Sequence, residues 1–86
     1  MTIKDIQNIM KDTTFNFEHF HDFRGMYDRY KPNHDVIIGK VDDVFYRICA
    51  INRNKNIWKV LKVEDTYTKL VENVSLEDAL KFVGAV

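Results

Sequence analysis

Residues Val44–Ile51 restrict the possible folds of this chain more than any other stretch. Read as a strand, they put Val44, Tyr46, Ile48 and Ala50 on one face and Phe45, Arg47, Cys49 and Ile51 on the other. Both sets are largely apolar, so the strand belongs in the middle of a sheet. Asp42-Asp43 ahead of it is a tight turn, and the polar run Asn52-Arg53-Asn54-Lys55-Asn56 behind it has the length of a hairpin loop. Val36–Gly39 and Ile57–Val63 are therefore its antiparallel neighbours. Glu64-Asp65 turns the chain once more, into Thr66–Val71. The result is an antiparallel meander.

Helical periodicity appears at both ends. Thr2 is placed to cap a helix over residues 3–12, with Asp5 in its first turn and Ile3, Ile6, Ile9 and Met10 on one side. Thr13-Thr14 ends it. Ser75 and Asp78 have the spacing of a second cap, Leu76, Ala79, Leu80 and Val83 form a buried stripe, and Gly84 stops the helix. Residues 15–30 support two readings. Phe15, Phe17, His19, His21 and Phe23 share a strand parity, whereas Phe17, Phe20 and Phe23 have a helical spacing. A short strand at 14–17, a turn near 18–22 and an extended piece over Arg24–Tyr30 is the expected arrangement, with Gly25 marking a bend or bulge and Lys31-Pro32-Asn33-His34-Asp35 a turn. The expected fold is one α+β domain spanning residues 1–86. Its antiparallel sheet has three to four strands, five if the aromatic segment pairs, with an N-terminal and a C-terminal helix packed on one face.

The 86 residues suffice for one domain. Thirteen basic residues balance 13 acidic ones, and a chain that lives on phosphate contacts usually has a basic excess. The lone Cys49 rules out an intrachain disulfide. No apolar run approaches the roughly 18–20 residues of a membrane span, and Met1–Ile6 has no continuous apolar signal core. The expectation is a cytoplasmic protein, in the host cell if phage-encoded, that does not engage a membrane. Abundant Lys, Asn, Ile and Asp with scarce Ala match the bias of an AT-rich genome.

Several chemistries lack their residues. Gly25, Gly39 and Gly84 are far apart, so no loop can cradle a phosphate. Ser75, the only serine, is best used as a cap. Cys49 lies between Ile48 and Ala50 and reads as a buried structural thiol rather than a nucleophile. The adjacent carboxylates Asp42-Asp43, Glu64-Asp65 and Glu77-Asp78 lie in turns or at a helix start, where such pairs are turn formers and dipole partners. His19, His21 and His34 are the one metal-ligand candidate, without the usual H-x3-H or CxxC spacing; their other reading is the rim of an aromatic cluster. No enzyme and no cofactor is expected.

Two surfaces remain. Arg53, Lys55, Lys59 and Lys62 around Trp58 form a basic-aromatic set suited to nucleic acid. Strand parity sends Lys59 and Lys62 to opposite faces, however. The helix–strands–helix order is similar to double-stranded RNA-binding domains, but the start of the last helix is Ser75-Leu76-Glu77-Asp78, acidic where that family is basic. The second surface is Phe15–Tyr30. With Trp58, Phe45, Tyr46, Tyr67 and Phe82 assigned to the core, the interior lacks room for every ring of this segment. Phe20, Phe23, Arg24, Met26, Tyr27, Arg29 and Tyr30, joined by Arg53 and Lys55, then become candidate partner contacts, being residue types that interfaces enrich.

Phe23-Arg24-Gly25-Met26-Tyr27-Asp28 resembles an aromatic-Arg-Gly-x-Tyr-Asp stretch of small tailed-phage proteins. In size and lack of motifs the chain resembles phage anti-defence inhibitors, anti-CRISPR proteins among them. That resemblance implies a non-enzymatic protein that binds a host protein and inhibits or modulates it by steric occlusion. A nucleic-acid-binding accessory protein and a small metal- or ligand-binding domain are the alternatives, and homo-oligomerisation is compatible with the first reading.

Overall fold

The computed structural model describes residues 1–21 and 30–86. It is a small α+β domain. Helix α1 (Ile3–Met10) precedes five strands, β1 (Asn16–His21), β2 (Tyr30–Val41), β3 (Val44–Asn52), β4 (Ile57–Val63) and β5 (Tyr67–Val74), and helix α2 (Leu76–Phe82) closes the chain. The strands form one antiparallel sheet in sequence order, β1-β2-β3-β4-β5, with β3 at its centre. The described helices are too short and polar to cross a membrane.

Local chemistry sets both helices. The Thr2 hydroxyl accepts from the Asp5 amide at 3.1 Å while the Asp5 carboxylate accepts from the Thr2 amide at 2.8 Å. The bond from the Thr2 amide, with the Thr2 side chain contributing less, favours the ionised carboxylate and holds Asp5 below the usual carboxylate pKa. The Ser75 hydroxyl accepts from the Asp78 amide at 3.1 Å. At the other end of α2, Gly84 adopts φ +80°, and the amides of Gly84 and Ala85 return to the carbonyls of Lys81 and Leu80. This is the double closure that a left-handed C′ residue permits.

Both helices lie on one face of the sheet. Ile6, Met10, Leu76, Ala79, Leu80 and Val83 pack with Phe15, Ile37, Ile48, Trp58 and Val60 in one cluster. Gly39 is required within it: a Cβ there would come within 2.5 Å of the Phe15 ring. The polar exception is the Trp58 indole. The residue is fully buried, and its Nε1–H donates to Asn56 Oδ1 at 2.8 Å. That oxygen also accepts the Leu76 amide at 3.0 Å, and Asn56 Nδ2 donates to Glu77 Oε1 at 3.2 Å.

Three sequence expectations are corrected. Residues 18–21 continue β1 rather than turning. Lys31–Asp35 belongs to the twelve-residue β2. Its Pro-Asn signal marks an irregularity instead: the register jumps from Phe17↔Ile37 to Glu18↔Asn33, leaving His34, Asp35 and Val36 without partners on β1, and Asn33 Oδ1 accepts the Asp35 amide at 3.1 Å. Finally, Phe45, Tyr67 and Phe82 are not core residues, being 49%, 57% and 55% exposed. Phe15 and, in part, Phe17 fill the interior in their place.

Candidate functional site

Because the helices share one face, the alternate residues of the strands face away from them. The register arranges these residues in rows across the sheet. One row runs Lys40, Phe45, Val63, Tyr67; the next runs Ile38, Arg47, Leu61, Lys69; a third holds Val36, Cys49 and Lys59. None of these residues belongs to the core cluster or to the partly buried residues packed against it, although Val36 is itself buried. Ile51, 48% exposed, extends the surface towards loop 52–56. The second apolar face of β3 is therefore an open apolar-aromatic surface, and no described helix covers it.

Arg47 organises the centre. Its guanidinium bonds Glu18 of β1, reaching across β2, and lies 5.1 Å from the Tyr67 ring centroid. Burial opposes the Arg47 charge, but the Glu18 carboxylate more than compensates and its pKa stays above the ordinary arginine value. Arg47 Nε is buried with no hydrogen-bond partner among the described residues. Lys40 lies 5.4 Å from the Phe45 ring centroid and pairs with Asp43 at 3.4 Å; Lys69 pairs with Glu72 at 3.1 Å. Cys49 is half-buried on this face rather than enclosed in the core. Burial pushes its thiol pKa up, with Arg47 and Lys59 offsetting part of the effect, which is the reverse of what a thiolate nucleophile needs.

The predicted contact residues fall in different places. Phe23, Arg24, Met26, Tyr27 and Arg29 lie outside the described residues, as does the whole of the 23–28 motif. By backbone, Phe20 is the penultimate residue of β1 and Tyr30 the first of β2, with side chains outside the description. Arg53 is half-buried and pairs with Asp35 at 3.4 Å, and Lys55 is exposed; both sit in the loop beside Ile51. A shallow depression of about 290 Å³ lined by Asp35, Ile51 and Arg53 joins that loop to the open face. Of the histidines, His19 is exposed on β1, and the His34 ring packs edge-on against Phe17 with centroids 5.0 Å apart. The His21 side chain is outside the description. Among the described residues no three His, Cys, Asp or Glu side chains converge as metal ligands.

Parity within β4 correctly separates Lys59 from Lys62, which pair with Cys49 and Tyr46 respectively. It misses that Lys59 shares the open face with Lys40, Arg47 and Lys69 from three other strands. The available signal was the doubly apolar pattern of β3, since a sheet with both helices on one side leaves its other side without a covering helix among the described residues.

Comparison of the chain with protein-family models, curated proteins and solved structures gave no match.

Proposed function

We propose that this chain is a non-enzymatic protein-binding domain whose working surface is the open face of the sheet. The supporting observation is the row Phe45, Val63, Tyr67 beside Ile38 and Leu61, with the two rings about half exposed and Arg47 among them. Aromatic and aliphatic groups around an arginine are the composition of an interface centre, with lysines at the rim. The action such a surface suits is occlusion, as expected of an inhibitor or modulator. The open face of β2–β5 adds to the contact residues read from the sequence, of which Phe23, Arg24, Met26, Tyr27 and Arg29 lie outside the described residues; loop residues Arg53 and Lys55 stand at its border.

A second reading is favoured by one observation: Lys40, Arg47, Lys59 and Lys69 share this face with two exposed rings. Rings on an open sheet flanked by cations can stack single-stranded bases. It ranks second because Lys40, Arg47 and Lys69 are already paired with carboxylates of the same chain.

The test uses immobilised wild-type chain, a Phe45→Ser/Tyr67→Ser variant and a Phe82→Ser control as baits in bacterial lysate, with proteins quantified by mass spectrometry. A partner held by wild type and control but reduced at least tenfold on the face variant is the expected result. Equal retention by all three baits rejects the reading. Retention of a labelled single-stranded oligonucleotide that weakens steeply with salt identifies the second reading instead.

A further inference from the structure

We propose that the outer half of the β1–β2 hairpin, Glu18–His21 with Tyr30–Asn33, is a hinged arm that opens as a unit and is latched to the sheet by Glu18 on Arg47. The device stands independently of the protein-binding reading. It decides whether the open face presents Arg47 paired or bare.

Strand pairing divides the hairpin in two. Among the described residues β2 pairs with β3 from Val36 to Val41, and with β1 at Ile37 and Ile38 and again from Tyr30 to Asn33. His34 and Asp35, in between, have a strand partner on neither side. On β1 the same break falls between Phe17 and Glu18. Inside the break the hairpin is anchored: Phe15 and Ile37 are buried in the core, Phe17 packs against it, and Val36 is buried and paired with Cys49. Outside the break, Glu18↔Asn33, His19↔Pro32, Phe20↔Lys31 and His21↔Tyr30 form a two-stranded ribbon. No described side chain of this ribbon joins the core cluster or packs against it. Pro32 brings no amide to the ladder. A lone two-stranded ribbon is marginal in water, and a segment with few buried apolar contacts opens ahead of the body it joins. Residues 34–35 and the Phe17–Glu18 junction are the hinge.

What holds the arm shut is one side chain. The His34 ring on Phe17 and the Asp35–Arg53 pair, at 3.4 Å, act on the hinge itself. Glu18 belongs to the arm, and it bonds Arg47 of the central strand over the intervening β2. The two side chains are only 21% and 23% exposed, unlike the solvated Lys40–Asp43 and Lys69–Glu72 pairs, so water and salt screen this bridge less. Opening the arm strips Arg47 of its carboxylate while its Nε already lacks a partner among the described residues. Removing one member of a shielded ion pair is costly, and that cost keeps the arm closed.

Residue-resolved hydrogen exchange of the full chain in low urea tests the proposal. The ladder amides of residues 18–21 and 30–33 should exchange through an opening that urea barely promotes, whereas those of Ile37–Val41 should need a larger, urea-sensitive one. Glu18→Gln keeps the side chain's size and removes its charge. It should speed the arm amides by roughly tenfold or more and leave those of Ile48 and Val60 within about twofold. Arg47→Gln should speed the arm similarly, and the double variant no more than either single one, because one contact is being removed. Glu64→Gln, which removes the exposed partner of Lys62, is the control and should leave the arm unchanged. Arm amides that exchange together with Ile37–Val41 at every urea concentration overturn the hinge, and the proposal with it. Equal acceleration of arm and core by Glu18→Gln, no acceleration, or additive effects in the double variant overturn the latch.

Discussion

Asn56 joins three parts of the molecule through one carboxamide. Its oxygen satisfies the only indole N–H and the first amide of α2, and its backbone turns at φ +55°. Replacement by glycine keeps that backbone geometry accessible and removes only the acceptor. With the buried Trp58 N–H orphaned, Asn56→Gly should lose about 1–3 kcal/mol of stability in urea unfolding; Asn56→Ala should lose more, because alanine also resists the positive φ. Nothing in the sequence separates this asparagine from Asn52 and Asn54 in the same loop. Its role depends on α2 returning to β4 from twenty residues away, a contact that local pattern does not encode. The caps Thr2, Ser75 and Gly84 were legible because each acts within three or four residues of itself.

Turn chemistry decides how well the elements are joined. Asp42 and Asp43 both take positive φ, 49° and 66°, the geometry of a type I′ hairpin turn that favours Asn-Gly. Asp43 is almost fully exposed and its pairing with Lys40 is solvated. Asp43→Gly should therefore raise stability by about 0.5–1 kcal/mol, read as an upward shift of the thermal midpoint. The meander and both helices follow from alternation and capping, so these elements were predictable with boundaries displaced by a few residues. β2 was not, because Pro32 and Asn33 normally break strands. Here they pair with His19 and Glu18 next to the pairing jump, whose three unpartnered residues are His34, Asp35 and Val36.

At the scale of the whole molecule, protection should follow sheet position. β3 is paired on both sides and contains the fully buried Ile48, and β4 contains Trp58 and Val60. Amide hydrogen exchange should be slowest in these two strands and fastest along β5, which has an unpaired side and register shifts opposite Trp58–Val60 and Val60–Leu61. Equal protection in β3 and β5 would contradict this ordering. The candidate site was half legible: the two apolar faces of β3 announced it, but the rings assigned to the interior, Phe45 and Tyr67, proved to be its main features. Residue type alone cannot tell an aromatic that fills a core from one that awaits contact, and only the placement of both helices on one side decides it. The broken rhythm of β5 has a further consequence. A neighbouring chain seeking to extend the ladder there meets donors and acceptors out of step, with Asn73 turned into a left-handed backbone conformation. Growth into fibrils is discouraged along that border.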